Sequence, residues 1–356
     1  MRGMNVISFL LYPFSLLYGG TMLVRNKLYD QKLFTSAHFK VPVISIGNLT
    51  VGGTGKTPHV EYLLRLLHYK KVATLSRGYK RKSTGYLLAN ASATVESLGD
   101  EPFQYYLDYP AVRVAVAGNR AIGITRLLAQ FPDLEAIILD DAYQHRRVTP
   151  SLNILLTDYS RLFYQDLVLP AGRLREFAVG ANRADAIIVT KCPGTISQEQ
   201  TLKIKKQVVS RANKPIPVFF TFYEYGKLVP CFQSSSVSKK VLLITAIANA
   251  KPLLNYLQQQ AYDLLHHYAF PDHHAYTESE VAKIFADWQR YSHNNSVVII
   301  TTRKDAVKLM APKLKPFWKT APLFYLPIRV AFVKDQQDFD AFILNHVASK
   351  SKPENN

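Results

Sequence analysis

The stretch Gly47-Asn48-Leu49-Thr50-Val51-Gly52-Gly53-Thr54-Gly55-Lys56-Thr57-Pro58 constrains this chain more than any other. It follows the apolar, β-branched run Val41-Pro42-Val43-Ile44-Ser45-Ile46 and precedes Val60 to Leu67, whose apolar residues recur at helical spacing. A strand, a glycine-rich turn, Gly-Lys-Thr and a helix together make a nucleotide-phosphate site. Glycines let successive backbone N–H groups turn onto the anion, and the helix N-terminus adds its positive dipole end. On this reading Thr50, Val51, Gly52, Gly53, Thr54 and Gly55 form the cradle, Lys56 reaches the β- and γ-phosphates of ATP, and the Thr57 hydroxyl ligates Mg²⁺. Thr50 stands where the usual G-x-x-x-x-G-K-[ST] pattern has its first glycine, and Gly52 and Gly53 supply the flexibility instead.

A carboxylate partner for that loop belongs at another strand end. Ala136-Ile137-Ile138-Leu139 followed by Asp140-Asp141 reads as a buried strand delivering acids to its C-terminal edge, where open α/β sheets bind ligands. One of the two aspartates is expected in the Mg²⁺ shell, and the residues leave open which. Ala142-Tyr143-Gln144-His145-Arg146-Arg147 follow directly.

At 356 residues, with 48% hydrophobic and 20% charged residues, the chain is globular and long enough for two domains. A net charge of +18 points to anionic partners. No RNA-binding signature or zinc spacing accompanies that charge, so nucleic acid is not an expected partner. Cys192 and Cys231 lack metal-ligand spacing and read as reduced packing residues. Between Arg2 and Arg25 there is no charged side chain, and Val6 to Tyr18 is rich in Leu, Phe and Tyr. Without a small-residue cleavage site this is not a secretory signal, and Pro13 and Gly19-Gly20 are expected to interrupt a spanning helix. An interfacial helix on an anionic membrane surface, with Arg2, Arg25 and Lys27 at the headgroups, is the preferred reading. An apolar helix packed on the protein itself is the alternative.

From residue 41 to about 220, β-branched runs alternate with helical patterns, which implies a mostly parallel sheet with helices on both faces. Expected strands are Val41–Ile46, Val72–Ser76, Arg113–Ala117, Ile137–Asp140, Asn153–Thr157, Ala186–Thr190 and Pro217–Thr221. A second α/β unit begins at Val241–Thr245 and includes Ser296–Thr301. The organisation expected is an N-terminal membrane-associating helix (1–28), a P-loop domain (29–222), a linker or hinge (223–240), a smaller C-terminal α/β domain (241–348) and a disordered tail (349–356).

These motifs together resemble the tetraacyldisaccharide 4′-kinase (lipid A 4′-kinase) family over nearly the whole chain. The resemblance rests on the glycine-rich loop, Leu75-Ser-Arg-Gly-Tyr79, Gly99-Asp-Glu-Pro102, Asp140 to Arg147, Pro170-Ala-Gly-Arg-Leu-Arg-Glu176, Ala246-Ile-Ala-Asn249, Phe270-Pro-Asp-His-His274 and Thr302-Arg-Lys-Asp-Ala-Val-Lys308, in the family's order. Ala142 stands where a glycine is usual, and Arg303 where an acidic residue is common. The resemblance implies a P-loop kinase with a second, hinged α/β domain. It would transfer the γ-phosphate of ATP to the 4′-hydroxyl of tetraacyldisaccharide 1-phosphate at the cytoplasmic face of the inner membrane. It also implies Asp100 as catalytic base coupled to His273, with His274 the competing neighbour. Asp140 and Asp141 are the metal and phosphate candidates, and Glu176 is a further metal-shell carboxylate. Lys304 and Asp305 are expected near the nucleotide base or ribose. Arg77, Arg120, His145, Arg173 and Arg175 are candidates for neutralising phosphate. The sequence does not set the oligomeric state, and a monomer is the expectation. A P-loop kinase or ATPase acting on another lipid or soluble sugar, or a nucleotide-dependent switch, are the rival readings; the first domain has no Asn-Lys-x-Asp motif for guanine, since Thr190-Lys191 lacks the Asn and Asp.

Overall fold

A computed structural model describes residues 6–232, 238–293 and 296–351. The chain begins with helix α1 (Val6–Asp30) and then builds eight strands: β1 (Val43–Asn48), β2 (Val72–Ser76), β3 (Tyr86–Leu88), β4 (Arg113–Ala117), β5 (Ala136–Asp140), β6 (Leu152–Asp158), β7 (Ala186–Thr190) and β8 (Val218–Tyr225). Helices α2 (Lys56–Leu66), α3 (Val95–Leu98), α4 (Asp100–Asp108), α5 (Arg120–Gln130) and α6 (Gln198–Ala212) connect them. The second unit holds β9 (Val229–Pro230), β10 (Lys240–Thr245), β11 (Asp263–Ala269), β12 (Val297–Thr302) and β13 (Leu323–Leu326), with α7 (Lys251–Gln259), α8 (Glu278–Ser292) and α9 (Arg303–Leu309). Last come β14 (Ile328–Phe332) and α10 (Gln336–Ser351).

Two sheets result, nine-stranded in the order β14-β8-β7-β6-β1-β5-β2-β4-β3 and five-stranded in the order β11-β10-β12-β13-β9. Among the described residues only the edge strands β3, β9 and β14 pair antiparallel to their neighbours. This is the α/β, mostly parallel architecture expected. Strand β1 lies at the centre, with Ile44 opposite Ile138 of β5 and Leu152 of β6. All six of its residues are buried because helices cover both faces, so no polar alternation is seen. On one face Ile44, Ile46 and Ile138 meet Val60, Leu63 and Leu64 of α2; on the other Val43, Ile137 and Leu139 meet Ile124 and Leu127 of α5.

Residues 328–351 correct the expected domain layout. The run Leu323-Phe-Tyr-Leu-Pro-Ile-Arg-Val-Ala-Phe332 is two strands, not one, and they serve different sheets. β13 pairs with β12, whereas β14 crosses back to pair with β8. α10 then packs Phe339, Ile343 and Val347 into the core of the first sheet. The chain therefore passes between the units twice, at Gly226 and Pro327, which touch: Gly226 N–H donates to Pro327 O at 2.9 Å. Helix α10 extends to Ser351, so the expected tail is helical at 349–351, and 352–356 lie outside the described residues, as do 233–237 of the expected linker.

Helix α1 also departs from expectation, continuing through Pro13 and Gly19-Gly20 without a break. A proline there removes one helical hydrogen bond, and packing holds the rest. Its buried residues are Ser15, Gly19 and Asn26, spaced four and seven apart on one stripe. The Ser15 hydroxyl accepts from Ala171 N–H at 2.9 Å, and a Cβ on Gly19 would lie 2.5 Å from the Phe177 ring. The large apolar residues point the other way, with Phe9 70%, Phe14 61% and Leu17 71% exposed. Arg2 lies outside the described residues.

Because α10 closes one face of the central sheet, Phe339→Ala should cost about 3–5 kcal/mol, the usual penalty for emptying a buried aromatic site. Urea unfolding checks this; a loss under about 1 kcal/mol would mean that α10 is only loosely docked.

Candidate active site

The turn from β1 into α2 is held by its own side chains. Asn48 Nδ2 donates to Thr54 Oγ1 at 2.8 Å, and the Thr190 hydroxyl donates to Thr54 O at 2.8 Å. Lys191 donates to Gly53 O and is paired with Asp158 at 2.8 Å. Gly52 and Gly55 take φ of +107° and +90°, which favours glycine at both. A Cβ on Gly55 would also sit 2.1 Å from the Tyr223 hydroxyl. The N–H groups of Val51 and Thr54 are spent on Arg173 O and Gly52 O, at 2.8 and 3.0 Å. For Val51 and Thr54 this corrects the expectation of cradle donors. The amides of Lys56 and Thr57, which open α2, have no preceding helical turn to receive them. His59, unremarked in the sequence, stiffens this turn: its ring nitrogens meet Gly55 O at 2.7 Å and Thr221 Oγ1 at 3.1 Å. Burial pushes its pKa down to about 4, so the ring is neutral.

The two aspartates at the end of β5 separate in role. Asp141, with a left-handed φ of 49°, receives Arg175 at 2.9 and 3.3 Å and lies 3.5 Å from Lys56 Nζ. Burial raises its pKa, but Lys56 and Arg175 outweigh that and hold it below the usual range. Asp140 is 6% exposed; its Oδ2 accepts from the Tyr105 hydroxyl at 3.1 Å, and its buried Oδ1 has no protein partner. Desolvation, then Glu101 and Asp141, push its pKa up to about 7. An unpartnered buried carboxylate oxygen, made costly by neighbouring acids, is a donor suited to a divalent cation. With the Thr57 hydroxyl on the adjacent helix end, the donor set fits Mg²⁺.

Glu176 does not belong to that set. It is 2% exposed, with Oε1 accepting from Arg183 at 2.7 Å and Gln144 at 3.1 Å, and Oε2 from Asn26 at 2.6 Å. Both oxygens are spent on protein donors, which corrects the metal-shell expectation. Arg120 is likewise interior, 2% exposed and donating to Ala117 O and Asp140 O at 2.7 and 3.4 Å. His145 Nε2 accepts from Arg120 N at 3.1 Å, and burial, then Arg120, push its pKa down to about 4. A neutral acceptor cannot offset phosphate charge. Arg175 stands at the site, whereas Arg77 and Arg173 are exposed.

A second cluster bridges the two units. Asp100 opens α4 as its first helical residue, with Gly99 as the cap, so it is not the N-cap itself. Its Oδ2 lies 3.1 Å from Nδ1 of His273, which takes a left-handed φ of 61°. Lys304 Nζ lies 3.2 Å from His273 Nε2, 3.2 Å from Glu101 and 3.4 Å from Asp272. An ammonium only donates, so Nε2 is the acceptor and Nδ1 carries the proton toward Asp100. Burial raises the Asp100 pKa, but the His273 hydrogen bond and Lys308 and Lys304 overcome it and hold the carboxylate below its ordinary value. His274 is occupied elsewhere: Glu280 takes its Nε2 at 3.0 Å, and its ring stacks on Phe270 at 4.7 Å. His273 is therefore the histidine that meets Asp100. Asp305 is fully buried, accepting from Ala246 N and the Thr302 hydroxyl at 3.0 and 2.7 Å, which removes it from the nucleotide-contact candidates.

Between the units a cavity of about 410 Å³ runs from Thr57 past Glu61, Lys191 and Tyr223 to Arg303 and Lys304. Arg303, noted in the sequence for its departure from the family pattern, is a wall residue, and so is Glu61, which sequence reasoning missed and nothing in its local pattern marks. Burial pushes the Glu61 pKa up to about 7, against a Gln104 hydrogen bond of 2.6 Å.

The raised pKa of Asp140 gives a signed prediction. Its folded value of about 7 lies well above the ordinary range of an aspartate, so the ionised group costs stability in full above about pH 7. That cost fades as pH falls toward 4. Without nucleotide or metal, Asp140→Asn should raise the melting temperature at pH 8, with the gain shrinking at pH 6 and vanishing near pH 4. Melts at these three values check it; a gain that grew on acidification would reverse the assignment.

The family model for tetraacyldisaccharide-1-P 4′-kinase matches residues 7–348. A tetraacyldisaccharide 4′-kinase of Flavobacterium johnsoniae is 43% identical, covering 98% of this chain and 100% of its own. That of Flavobacterium psychrophilum is 45% identical, over 98% and 99%. Among solved structures, LpxK from Aquifex aeolicus in complex with ATP superposes with a TM-score of 0.74 at 29% identity, covering 96% of this chain and 100% of that one. The chain belongs to the tetraacyldisaccharide-1-P 4′-kinase family.

Proposed function

We propose that this protein is an ATP-dependent lipid kinase, transferring the γ-phosphate of ATP to the 4′-hydroxyl of a tetraacyldisaccharide 1-phosphate. The observation supporting this reading is that one helix, α4, joins two polar centres. The Lys56–Asp141–Arg175 group lies at the P-loop, and the Asp100–His273 pair spans the two units. Helix α4 links them, since it begins with Asp100 and places Tyr105 against Asp140.

On this reading Lys56 and the first amides of α2 hold the β- and γ-phosphates, and Arg175 adds charge beside Asp141. Thr57 and Asp140 are the residues that would hold Mg²⁺, which supplies charge neutralisation along the triphosphate. Asp100 accepts the proton of the 4′-hydroxyl as that oxygen bonds to the γ-phosphorus and the bond to the β–γ bridging oxygen breaks. A carboxylate held below its usual pKa is a weak base, adequate for a loose transition state in which the proton leaves late. His273 fixes the carboxylate's direction, and Lys304 fixes His273. Lys304 also borders the cavity, where a nucleotide contact remains consistent with its position. Because both halves of the cleft come from one chain, a monomer suffices.

The outward apolar face of α1 supports peripheral attachment to an anionic membrane surface, at the cytoplasmic face where ATP is available. The helix is long and apolar enough to cross a membrane, with mean hydropathy 1.5. Its protein-facing stripe favours lying along the surface.

Lys56→Ala should abolish transfer of labelled phosphate from ATP to the disaccharide lipid while leaving a cooperative melt; normal turnover would refute the phosphate role. Asp100→Asn and His273→Ala should each slow turnover by about 10²–10⁴. Acting as one unit, the double variant should be little worse than the poorer single, and multiplied losses would argue against coupling. Phe9→Glu with Leu17→Glu should release the protein from anionic vesicles in a sedimentation assay. Retained binding would return α1 to the packed-helix alternative.

A further inference from the structure

We propose that α1 is a working part of the phosphate site, with Asn26 positioning the Lys56–Asp141 pair through a continuous line of side chains formed by Glu176, Gln144 and Arg175. The proposal rests on the reading of Lys56 as the phosphate lysine.

The line can be followed atom by atom. Asn26, 8% exposed, donates Nδ2 to Glu176 Oε2 at 2.6 Å. Glu176 Oε1 accepts from Gln144 Nε2 at 3.1 Å, and the same nitrogen donates to Asn48 O at 2.8 Å. With its amide nitrogen committed twice, Gln144 must turn Oε1 toward Arg175, whose Nη1 donates to it at 3.3 Å. Arg175 then grips both oxygens of Asp141, at 2.9 and 3.3 Å, and Asp141 lies 3.5 Å from Lys56 Nζ. Each link pairs a donor with an acceptor, so flipping the Gln144 amide breaks the line at both Glu176 and Arg175, and flipping Asn26 breaks its link to Glu176. Helix α1 also holds Gln144 by its backbone, because Arg25 Nη2 donates to Gln144 O at 3.1 Å.

This assigns a role to Glu176, which the metal reading could not. A carboxylate at 2% exposure is costly, and here it accepts from Asn26, Gln144 and Arg183 together. Truncating Asn26 leaves Oε2 buried without its donor. The carboxylate then re-aims toward its remaining donors, Gln144 follows, and Arg175 loses the acceptor that orients it. Outer partners of ion sites typically change affinity 10–100-fold. Over several links the expected effect is about 3–10-fold in ATP affinity.

The test uses the full chain in detergent micelles and measures the ATP dissociation constant, with no lipid acceptor present, well below each variant's melting temperature. Asn26→Ala and Gln144→Ala should weaken ATP binding about 3–10-fold, and Asn26→Asp should be worse than Asn26→Ala because two carboxylates then face each other. Combining Asn26→Asp with Glu176→Gln should bring affinity back to within about twofold of wild type. The amide at 176 would donate to the new carboxylate while its oxygen still accepts from Arg183 and Gln144. A merely structural role for Asn26 would lower the melting temperature and leave ATP affinity unchanged; that result, with Lys56→Ala losing ATP, overturns the positioning line and leaves the phosphate reading intact. Normal ATP binding by Lys56→Ala overturns both.

Discussion

Gly55 turns with a φ of +90° against the Tyr223 hydroxyl, and the arrangement of the cleft depends on that close approach. Any side chain there would collide with the Tyr223 side chain of β8 or force α2 away from the sheet. With hydrogen alone, α2 starts directly beyond β1, and its first amides, Lys56 and Thr57, open onto the C-terminal edge of the sheet. His59, kept neutral by burial, ties Gly55 O to Thr221 of β8 and so locks the turn without adding charge. Positive charge is thereby confined to the face where an anion would lie.

The other half of the cleft depends on the chain crossing twice between its units. One crossing would leave the second unit free to swivel; two adjacent crossings at Gly226 and Pro327 limit it to opening and closing about one line. Opposite that line, Arg303 pairs with Asp108 at 2.9 Å through Nε, and Lys304, Lys308 and His273 face Glu101 and Asp100. Every one of these contacts joins the second unit to α4. Partly exposed ion pairs contribute little stability singly. Their use here is registry, since together they hold the left-handed His273 against Asp100.

Much of this was legible in the sequence, for reasons that differ by element. β2, β4 and β7 fall where expected, because strands buried on both faces read as continuous β-branched runs. The glycine-rich turn and the acids at the end of β5 were legible because their chemistry restricts residue type. β14 and α10 were hidden because Pro327 divides one apolar run between two sheets, and only long-range pairing reveals that. Local pattern also could not separate His273 from His274, which differ only in what the fold places opposite: Asp100 for one, Glu280 and Phe270 for the other. Glu176 was misjudged because a carboxylate beside a basic motif looks the same whether it meets a cation or three protein donors.

The polarity of α1 runs opposite to that of an ordinary surface helix, and this separates the two ways it could meet a bilayer. Its small and polar residues, Ser15, Gly19 and Asn26, face the protein, while Ile7, Phe9, Leu10, Phe14 and Leu17 face outward at 61–71% exposure. Full burial of such side chains is worth about 1.5–3 kcal/mol each, so seating five of them halfway gives roughly 4–8 kcal/mol. That compares with a single myristoyl chain, whose binding is marginal and reversible. A helix crossing the bilayer alone would immerse the Ser15 and Asn26 side chains and give up their bonds to Ala171 and Glu176. Lying along the surface keeps those bonds and still hides the apolar face. The +18 net charge adds attraction to anionic headgroups without requiring any further apolar contact.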